Sequence, residues 1–228
     1  MNEHTPPPIV KPYDYHTLKQ ITMPDKRLYE TPDGNKVPSV TTILSKTKDM
    51  THLIEWKKRV GDAEAQRIVT EASNVGSVMH NILEKWFKNE EYNPGNNMVH
   101  KQAKGMAQVV IDNVEPDISE VWGSEVNLVA KDLYAGTTDL VGVYKGNQTI
   151  MDFKQTNKPK KREWIDDYFL QGAAYANAHN EMYGTNIANI AVFMCSRAGE
   201  FQLFEADSTE FKQWELKWAE RLEQFYNL

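Results

Sequence analysis

The feature that most constrains the fold is a pair of neighbouring apolar segments that carry charges in their interiors. Residues 132–144 and 148–154 have the composition of buried strands, and the YKGNQ turn between them predicts an antiparallel hairpin. The first segment contains Asp139, and the second contains Asp152 and Lys154. A charge inside a sheet core is unfavourable unless another group compensates it. These charges must therefore form ion pairs or bind a cation.

Strand geometry brings the charged side chains together. Side chains two positions apart point to the same face, so Asp152 and Lys154 share a face, and Met151 and Phe153 face the opposite layer. Asp139 precedes Asp152 by 13 positions and comes close to it if the hairpin pairs. Two adjacent carboxylates repel each other unless a cation lies between them, and hard oxygen ligands suit Mg²⁺ or Mn²⁺. A lysine beside them can hold a water or stabilise charge growing on a phosphorus, as in metal-assisted phosphodiester hydrolysis.

A second interpretation of the same residues needs no metal. Asp152 and Lys154 would form a buried ion pair, and Asp139 would lie exposed at a sheet edge. From these residues alone, the metal site and the ion pair are equally well supported.

Composition restricts the remaining choices. The chain of 228 residues is 40% hydrophobic and 25% charged, which predicts one soluble globular domain. Cys195 is the single cysteine, so intrachain disulfides and four-cysteine metal sites are excluded and a reducing cytoplasm is expected. No apolar run approaches the roughly 20 residues of a membrane span, and the N-terminus lacks a secretory pattern. The net charge of −6 disfavours indiscriminate nucleic-acid binding but leaves two local basic runs, residues 57–59 and 154–162.

Periodicity and turn residues predict an α/β domain in which helices flank a central mixed sheet. Residues 1–12, with three consecutive prolines, are expected to form a poorly ordered arm. Residues 13–114 form a hairpin and helical region, with Ser39 capping a short helix, and residues 115–228 form the core of a single compact domain. The predicted helices are 51–72 (interrupted near Gly61), 74–90, 98–114, 163–183 and 208–227, and the predicted strands are 120–130, 132–144, 148–154, 187–195 and 200–205.

Four sequence blocks occur in a particular order: GSVMHNILE, GTTDLVG, IMDFKQT and QGAAYANA. Together they resemble the motif series of PD-(D/E)XK nucleases of the RecB type, over about residues 76–178. Upstream, VPSVTTIL and LIEWKKRVG extend the resemblance toward the mitochondrial genome maintenance exonuclease and its phage-encoded relatives. The resemblance implies a PD-(D/E)XK core with an N-terminal helical elaboration that contributes a histidine to the site.

The resemblance also implies roles for individual residues in binding one or two Mg²⁺ or Mn²⁺ ions. His80 would be a ligand from a helix, Asp139 and Asp152 would be the carboxylate ligands, and the main-chain carbonyl of Phe153 would assist. Lys154 would orient the attacking water.

Further residues would support this site. Gln171 and Tyr175 match a block that lies beside the active site and the strand being cut, and Glu84 could orient His80. One departure is Thr138, which stands where a proline nominally precedes the first acid. The cysteines that hold an iron–sulfur cluster in some RecB-type nucleases are also missing, so no such cluster is expected.

The basic run after Lys154 borders the predicted site and suits non-specific contacts with DNA phosphates. Trp164 could stack on bases of a single strand, although a role in the core is equally consistent with its sequence context. A charge run on its own is also typical of a solvated surface. The predicted DNA-contacting residues are Lys158, Lys160, Lys161, Arg162 and Trp164.

Taken together, the sequence predicts a Mg²⁺- or Mn²⁺-dependent DNA exonuclease that prefers single strands or free ends. It would act in recombination, repair or phage genome processing in the cytoplasm of a bacterial or phage-infected cell, away from membranes, with a recombination or single-strand-binding protein as a partner. By resemblance, its products would carry a 5′-phosphate and a 3′-hydroxyl. Two alternatives stay open: a structure-specific endonuclease, and a catalytically silent DNA-binding or recombination-partner module.

Overall fold

The structure is a computed structural model that describes residues 4–228. A small sheet and a series of helices precede a central sheet, one helix connects two strands of that sheet, and another follows it. Short 3₁₀ turns cover residues 115–117 and 162–164. In chain order the elements are β1 (Lys19–Thr22), β2 (Arg27–Glu30), β3 (Lys36–Pro38), α1 (Val40–Thr47), α2 (Thr51–Val60), α3 (Asp62–Phe87), α4 (Met98–Val114), β4 (Ile118–Ala130), β5 (Tyr134–Tyr144), β6 (Asn147–Thr156), α5 (Asp166–Tyr183), β7 (Asn189–Ser196), β8 (Phe201–Ala206) and α6 (Ser208–Tyr226).

The central sheet has five strands in the order β4-β5-β6-β7-β8. β6 and β7 run parallel, with α5 as the crossover between them, and every other neighbouring pair is antiparallel. The predicted meander of three antiparallel strands is therefore confirmed, as is an α/β architecture with a mixed central sheet flanked by helices.

Helices cover both faces of the sheet. On one face, α3 packs against β6 and α4 packs against β7. Phe87 of α3 stacks on Phe153 of β6 with ring centroids 5.5 Å apart, and Met151 belongs to the same apolar cluster. On the other face, Ile150 belongs to the cluster that α5 contributes to through Phe169. The apolar side chains of β6 therefore alternate between the layers, as the sequence predicts.

One helix is longer than predicted. Residues 51–72 and 74–90 are predicted as separate helices, with an interruption of the first near Gly61. The interruption at Gly61 is confirmed, but α3 then continues through residue 73 without a break. Gly61 has φ of +85°, a conformation that favours glycine, and it ends α2. Gly76 lies inside α3 because packing overrides its weak helix propensity: a Cβ there would lie 3.3 Å from Cγ of Gln155 on β6.

The N-terminal sheet contains the predicted hairpin and one strand that the sequence analysis missed. β2 and β3 form the hairpin, and β1 pairs with β2 to complete three strands. Ser39 caps α1 as predicted, because its side chain accepts a hydrogen bond from the backbone N–H of Thr42. The hydroxyl of Tyr29 is hydrogen-bonded to Thr137 at 3.0 Å, so this sheet is attached to β5 two residues before Asp139.

Part of the N-terminal arm has a defined place beside β4. The backbone N–H of Val10 donates to the carbonyl of Val121 at 2.8 Å, and the N–H of Val121 donates to the carbonyl of Pro8 at 2.9 Å. The expected poor order of residues 1–12 therefore does not hold for residues 8–10, and residues 1–3 lie outside the described part of the chain. Within residues 4–228, the helices are too short or too polar to cross a bilayer.

Candidate metal and nucleic-acid site

The predicted acids lie where two strands of the sheet separate. β5 and β6 pair from Tyr144 and Asn147 as far as Leu140 and Met151, and the ladder ends there. Asp139 and Asp152 are the next residues on the two strands. Beyond this point β5 stays with β4 and β6 stays with β7, so the backbone opens around the two carboxyl groups.

Asp139 is held from both sides. Its Oδ2 accepts a hydrogen bond from the backbone N–H of Phe153 at 2.8 Å, and its Oδ1 lies 3.5 Å from Nδ1 of His80 on α3. Burial alone would raise the pKa of Asp139, but the His80 imidazole lowers it below the ordinary value, with Lys154 adding to the effect. The Asp139 side chain is only 12% exposed. The alternative in which Asp139 lies exposed at a sheet edge is therefore wrong.

Asp152 and Lys154 form the ion pair that the sequence allowed. Lys154 Nζ lies 2.5 Å from Asp152 Oδ2, although the contact lacks hydrogen-bond alignment and leaves this oxygen without a hydrogen-bond partner. Burial raises the pKa of Asp152 to about 6, with Lys154 opposing and Asp139 reinforcing the shift. Burial would lower the pKa of Lys154, but Asp152 and Asp139 raise it, so the ammonium stays charged, 5.1 Å from the Tyr168 ring centroid.

Glu125 on β4 is a site residue that the sequence analysis missed. It stands opposite Asp139, between the paired residues Ser124–Leu140 and Val126–Thr138, and its φ of +54° is unusual for a non-glycine residue in a strand. Burial raises the pKa of Glu125 to about 7, and Asp139 adds to the shift. The available signal was an acid 14 positions before Asp139, on the preceding strand of the meander.

The side chains suit a small divalent cation. Ligand atoms of His80, Glu125 and Asp139 lie within 4.8 Å of one another, the one such group of at least three His, Cys, Asp or Glu residues within residues 4–228. Imidazole nitrogen and carboxylate oxygens are ligands that Mn²⁺ accepts, and the carboxylates also suit Mg²⁺. Burial is the main cause of the raised pKa values of Glu125 and Asp152, and the neighbouring Asp139 carboxylate raises both further, so a cation bound beside these acids would offset both effects. The residues therefore fit the predicted ion.

Of two further residues predicted to support the metal site, Phe153 contacts Asp139, whereas Glu84 contacts a residue other than His80. Phe153 contributes its backbone N–H to Asp139, whereas the role of its carbonyl stays a prediction. Glu84 of α3 pairs with Lys88, the residue that follows the helix, and not with His80 as predicted.

Gln171 and Tyr175 lie on one face of α5 and contact each other. Gln171 Nε2 donates to the Tyr175 hydroxyl at 3.1 Å. The ring of Tyr175 packs on Gly136 of β5, where a Cβ would lie 2.6 Å from its Cε1. Tyr175 is buried, and burial raises the pKa of its hydroxyl. It is therefore suited to positioning β5 and Gln171, not to direct contact with a substrate.

The basic run has an exposed part and a structural part. Lys158, Lys160 and Lys161 are exposed, and Trp164 is 61% exposed, which excludes the core role left open for this tryptophan. Arg162 differs, because its guanidinium pairs with Glu210 of α6 and lies 4.4 Å from the Phe169 ring centroid. Arg162 therefore ties the run to α6. Lys161 Nζ lies 3.8 Å from Glu163, so within the described residues Lys158 and Lys160 are the lysines of the run without an acidic partner.

Comparisons with known proteins add little to this geometry. No protein-family model matches the chain, and no curated protein sequence is significantly similar to it. A crystal structure from Eubacterium rectale, described as that of a candidate exonuclease, is 15% identical over 69% of this chain and 68% of its own, with a TM-score of 0.45. A likeness this weak carries no functional argument.

Proposed function

We propose that this protein is a Mg²⁺- or Mn²⁺-dependent deoxyribonuclease of the RecB-type PD-(D/E)XK class that degrades DNA from a free end. One observation carries the proposal. An imidazole and two carboxylates converge within 4.8 Å, beside a third, buried acid that is in contact with a lysine. The order of the sequence blocks that contain His80, Asp139, Asp152 and Lys154 supports the same class.

The protein's own groups divide the work of hydrolysis. His80, Glu125 and Asp139 would hold the ion. The adjacent Asp152, whose Oδ2 contacts Lys154, would be a further ligand. When bound, the ion supplies Lewis-acid activation of water and stabilises negative charge on the phosphate. Lys154 stays protonated between the two aspartates, and from there it can orient a water or stabilise charge on a phosphate oxygen.

The surface near the site supports DNA as the substrate. The exposed lysines follow the carboxyl end of β6, directly after the strand that carries Asp152 and Lys154. Phosphate contacts from such residues give affinity without sequence selectivity. Trp164 presents an exposed ring beside Lys161, whose Nζ lies 5.4 Å from the ring centroid, and such a pair suits stacking with bases of a single strand. We propose a role in recombination, repair or phage genome processing.

The experiment is digestion of end-labelled single- and double-stranded DNA. We expect degradation with Mg²⁺ or Mn²⁺, none with EDTA, and a loss of about 10²- to 10⁴-fold for Asp152→Asn. The matched control is Glu215→Gln, which alters the exposed acid of another acid–x–lysine triplet, on α6, and should keep wild-type activity. Cleavage that persists in EDTA or in Asp152→Asn would refute the proposed chemistry.

A circular single strand decides how the enzyme begins. An exonuclease leaves the circle intact while it degrades the same strand after linearisation. Cleavage of the circle would identify an endonuclease. DNA binding without cleavage of any substrate would identify the catalytically silent module.

A further inference from the structure

A cavity of about 460 Å³ adjoins the candidate metal site. It lies between the N-terminal arm, β4 and the C-terminal end of α3, and Glu125 belongs both to its lining and to the metal-site group. Its lining includes aromatic and charged side chains, among them Lys11, Tyr13, Tyr15, Lys88, Trp122 and Glu125.

The arm forms a fixed outer wall of this cavity. At one end, the backbone N–H of Val10 donates to the carbonyl of Val121 at 2.8 Å. At the other end, the backbone N–H of Leu18 donates to Oδ1 of Asn127 at 2.8 Å. Residues 11–17 are thus attached to β4 at both ends, so the cavity belongs to the fold itself.

The aromatic part of the wall is supported from behind. The hydroxyl of Tyr15 is hydrogen-bonded at 2.9 Å to Nε2 of the fully buried His179, whose Nδ1 is hydrogen-bonded to Thr185 at 2.8 Å. The ring of Tyr15 lies against Gly123, where a Cβ would come within 2.8 Å of its Cε2, and Tyr13 packs beside it at a centroid distance of 6.0 Å. Tyr15 is therefore positioned next to the backbone that leads, two residues later, to Glu125.

The charges of the cavity indicate how a ligand would be recognised. Lys11 and Lys88 lie on the lining, but so do Asp14, Glu90 and Glu125. The cavity therefore has no excess of positive charge to attract phosphate groups, and its aromatic wall is the feature that can contribute affinity. Base–aromatic stacking tolerates every base, because each base has a π-face.

We propose that this cavity receives the terminal nucleotide of the DNA strand, with its base against Tyr15 and its phosphate directed toward Glu125 and the metal group. This inference rests on the proposed nuclease function. The cavity volume lies in the lower part of the range of about 300–1,000 Å³ typical of small-ligand sites, which suits one nucleotide. The wall formed by the arm would thus make the site specific for the ends of DNA strands.

The first test needs no catalysis. We expect 2′-deoxyadenosine 5′-monophosphate to bind the wild-type protein in EDTA by isothermal titration calorimetry, and Tyr15→Leu to weaken binding about tenfold through loss of stacking. The matched control, Tyr15→Phe, keeps the ring and should retain most of the affinity. Equal binding by wild type and Tyr15→Leu, or no binding by either at a temperature where both are folded, would overturn the inference.

The second test distinguishes a base contact from a structural role. Single strands that end in a normal or an abasic nucleotide are compared in wild type and Tyr15→Leu, by the rate of release of the first nucleotide. We expect wild type to process the abasic end about tenfold more slowly, and Tyr15→Leu to process both ends alike, since each change removes the same contact. Independent effects of the two changes would overturn the inference and leave the nuclease proposal intact. Conversely, Tyr15-dependent nucleotide binding without cleavage of any DNA would support the nucleotide site and refute the nuclease.

Discussion

Two histidines, on α3 and α5, show how differently the protein uses the same side chain. His80 faces Asp139, and although burial would lower its pKa, the carboxylate raises it above the ordinary value. His179 lies among Tyr13, Tyr15 and Trp122, and burial without a charged partner lowers its pKa to about 4. The first imidazole belongs to the charged centre, which consists of His80, Glu125, Asp139, Asp152 and Lys154. The second supports the aromatic wall of the cavity, which consists of Tyr13, Tyr15 and Trp122. The neighbours, and not burial alone, decide the protonation state.

Glu125 connects these two regions. It belongs to the metal-site group and also to the lining of the cavity behind which His179 lies. A strand end bound as we propose would place its base against the aromatic wall and its phosphate beside the metal-site group. The contrast between the regions therefore matches the two chemical halves of a nucleotide.

The charged centre is expected to be the more sensitive of the two regions to loss of one partner. Lys154→Met leaves Asp152 buried beside Asp139 without its ammonium, and breaking a buried pair from one side costs about 3–5 kcal/mol. We expect urea unfolding to show this loss at neutral pH in EDTA, and the double variant Asp152→Asn/Lys154→Met to recover most of it.

Lys212→Met is the control, because Lys212 is the exposed lysine of an acid–x–lysine triplet on α6. Its effect should stay within about 0.5 kcal/mol. Similar losses for Lys154→Met and Lys212→Met would mean that the Asp152–Lys154 pair stabilises the fold no more than an exposed surface charge does.

The charged centre was largely predictable because most of it is local. Asp139 and Asp152 belong to one hairpin, and a short turn sets their register. His80 lies outside the hairpin, and its role came from the order of the sequence blocks, since no periodicity brings a particular helix residue to a particular strand. Glu125 was missed because its approach to Asp139 depends on the register of a second strand pair and on an unusual backbone angle.

The aromatic wall was not predictable from sequence patterns. Tyr15 and His179 are 164 positions apart and meet only because the arm crosses β4 beside α5. The proline-rich composition of residues 1–12 indicates little intrinsic order, yet backbone pairing with an edge strand overrides it at residues 8–10. Contacts of this kind arise from the assembled sheet, and local propensity carries no information about them.

The pH dependence of stability should have opposite signs for the two histidines. His179 has a folded pKa of about 4 against 6.5 when unfolded, so its contribution is present above pH 6.5 and decreases as the pH falls, by about 2 kcal/mol between pH 7 and 5. His80 has a raised folded pKa, so its contribution is present below 6.5 and lost as the pH rises through the folded value.

Urea unfolding at several pH values, in EDTA, measures both contributions as differences from wild type. In His179→Gln, the free energy of unfolding should decrease less than in wild type as the pH falls below 6.5. In His80→Gln, it should decrease less than in wild type as the pH rises above 6.5. If both variants changed the profile in the same direction, the contrast between the two environments would be wrong.

The smallest effect is expected at the residue that the two regions share. Glu125→Gln keeps the size of the side chain but removes one anionic ligand, and we expect Mn²⁺ affinity, measured by calorimetry at pH 8, to fall about tenfold, near 1.4 kcal/mol. Glu91→Gln, an exposed acid in the loop after α3, is the matched control and should bind Mn²⁺ like wild type.

Because Glu125 also lines the cavity, nucleotide binding in EDTA should change little in Glu125→Gln or become slightly tighter, since a negative charge near the phosphate is removed. Unchanged Mn²⁺ affinity would show that Glu125 is a wall residue alone, and the metal group would then consist of His80 and Asp139 with Asp152 as the third ligand.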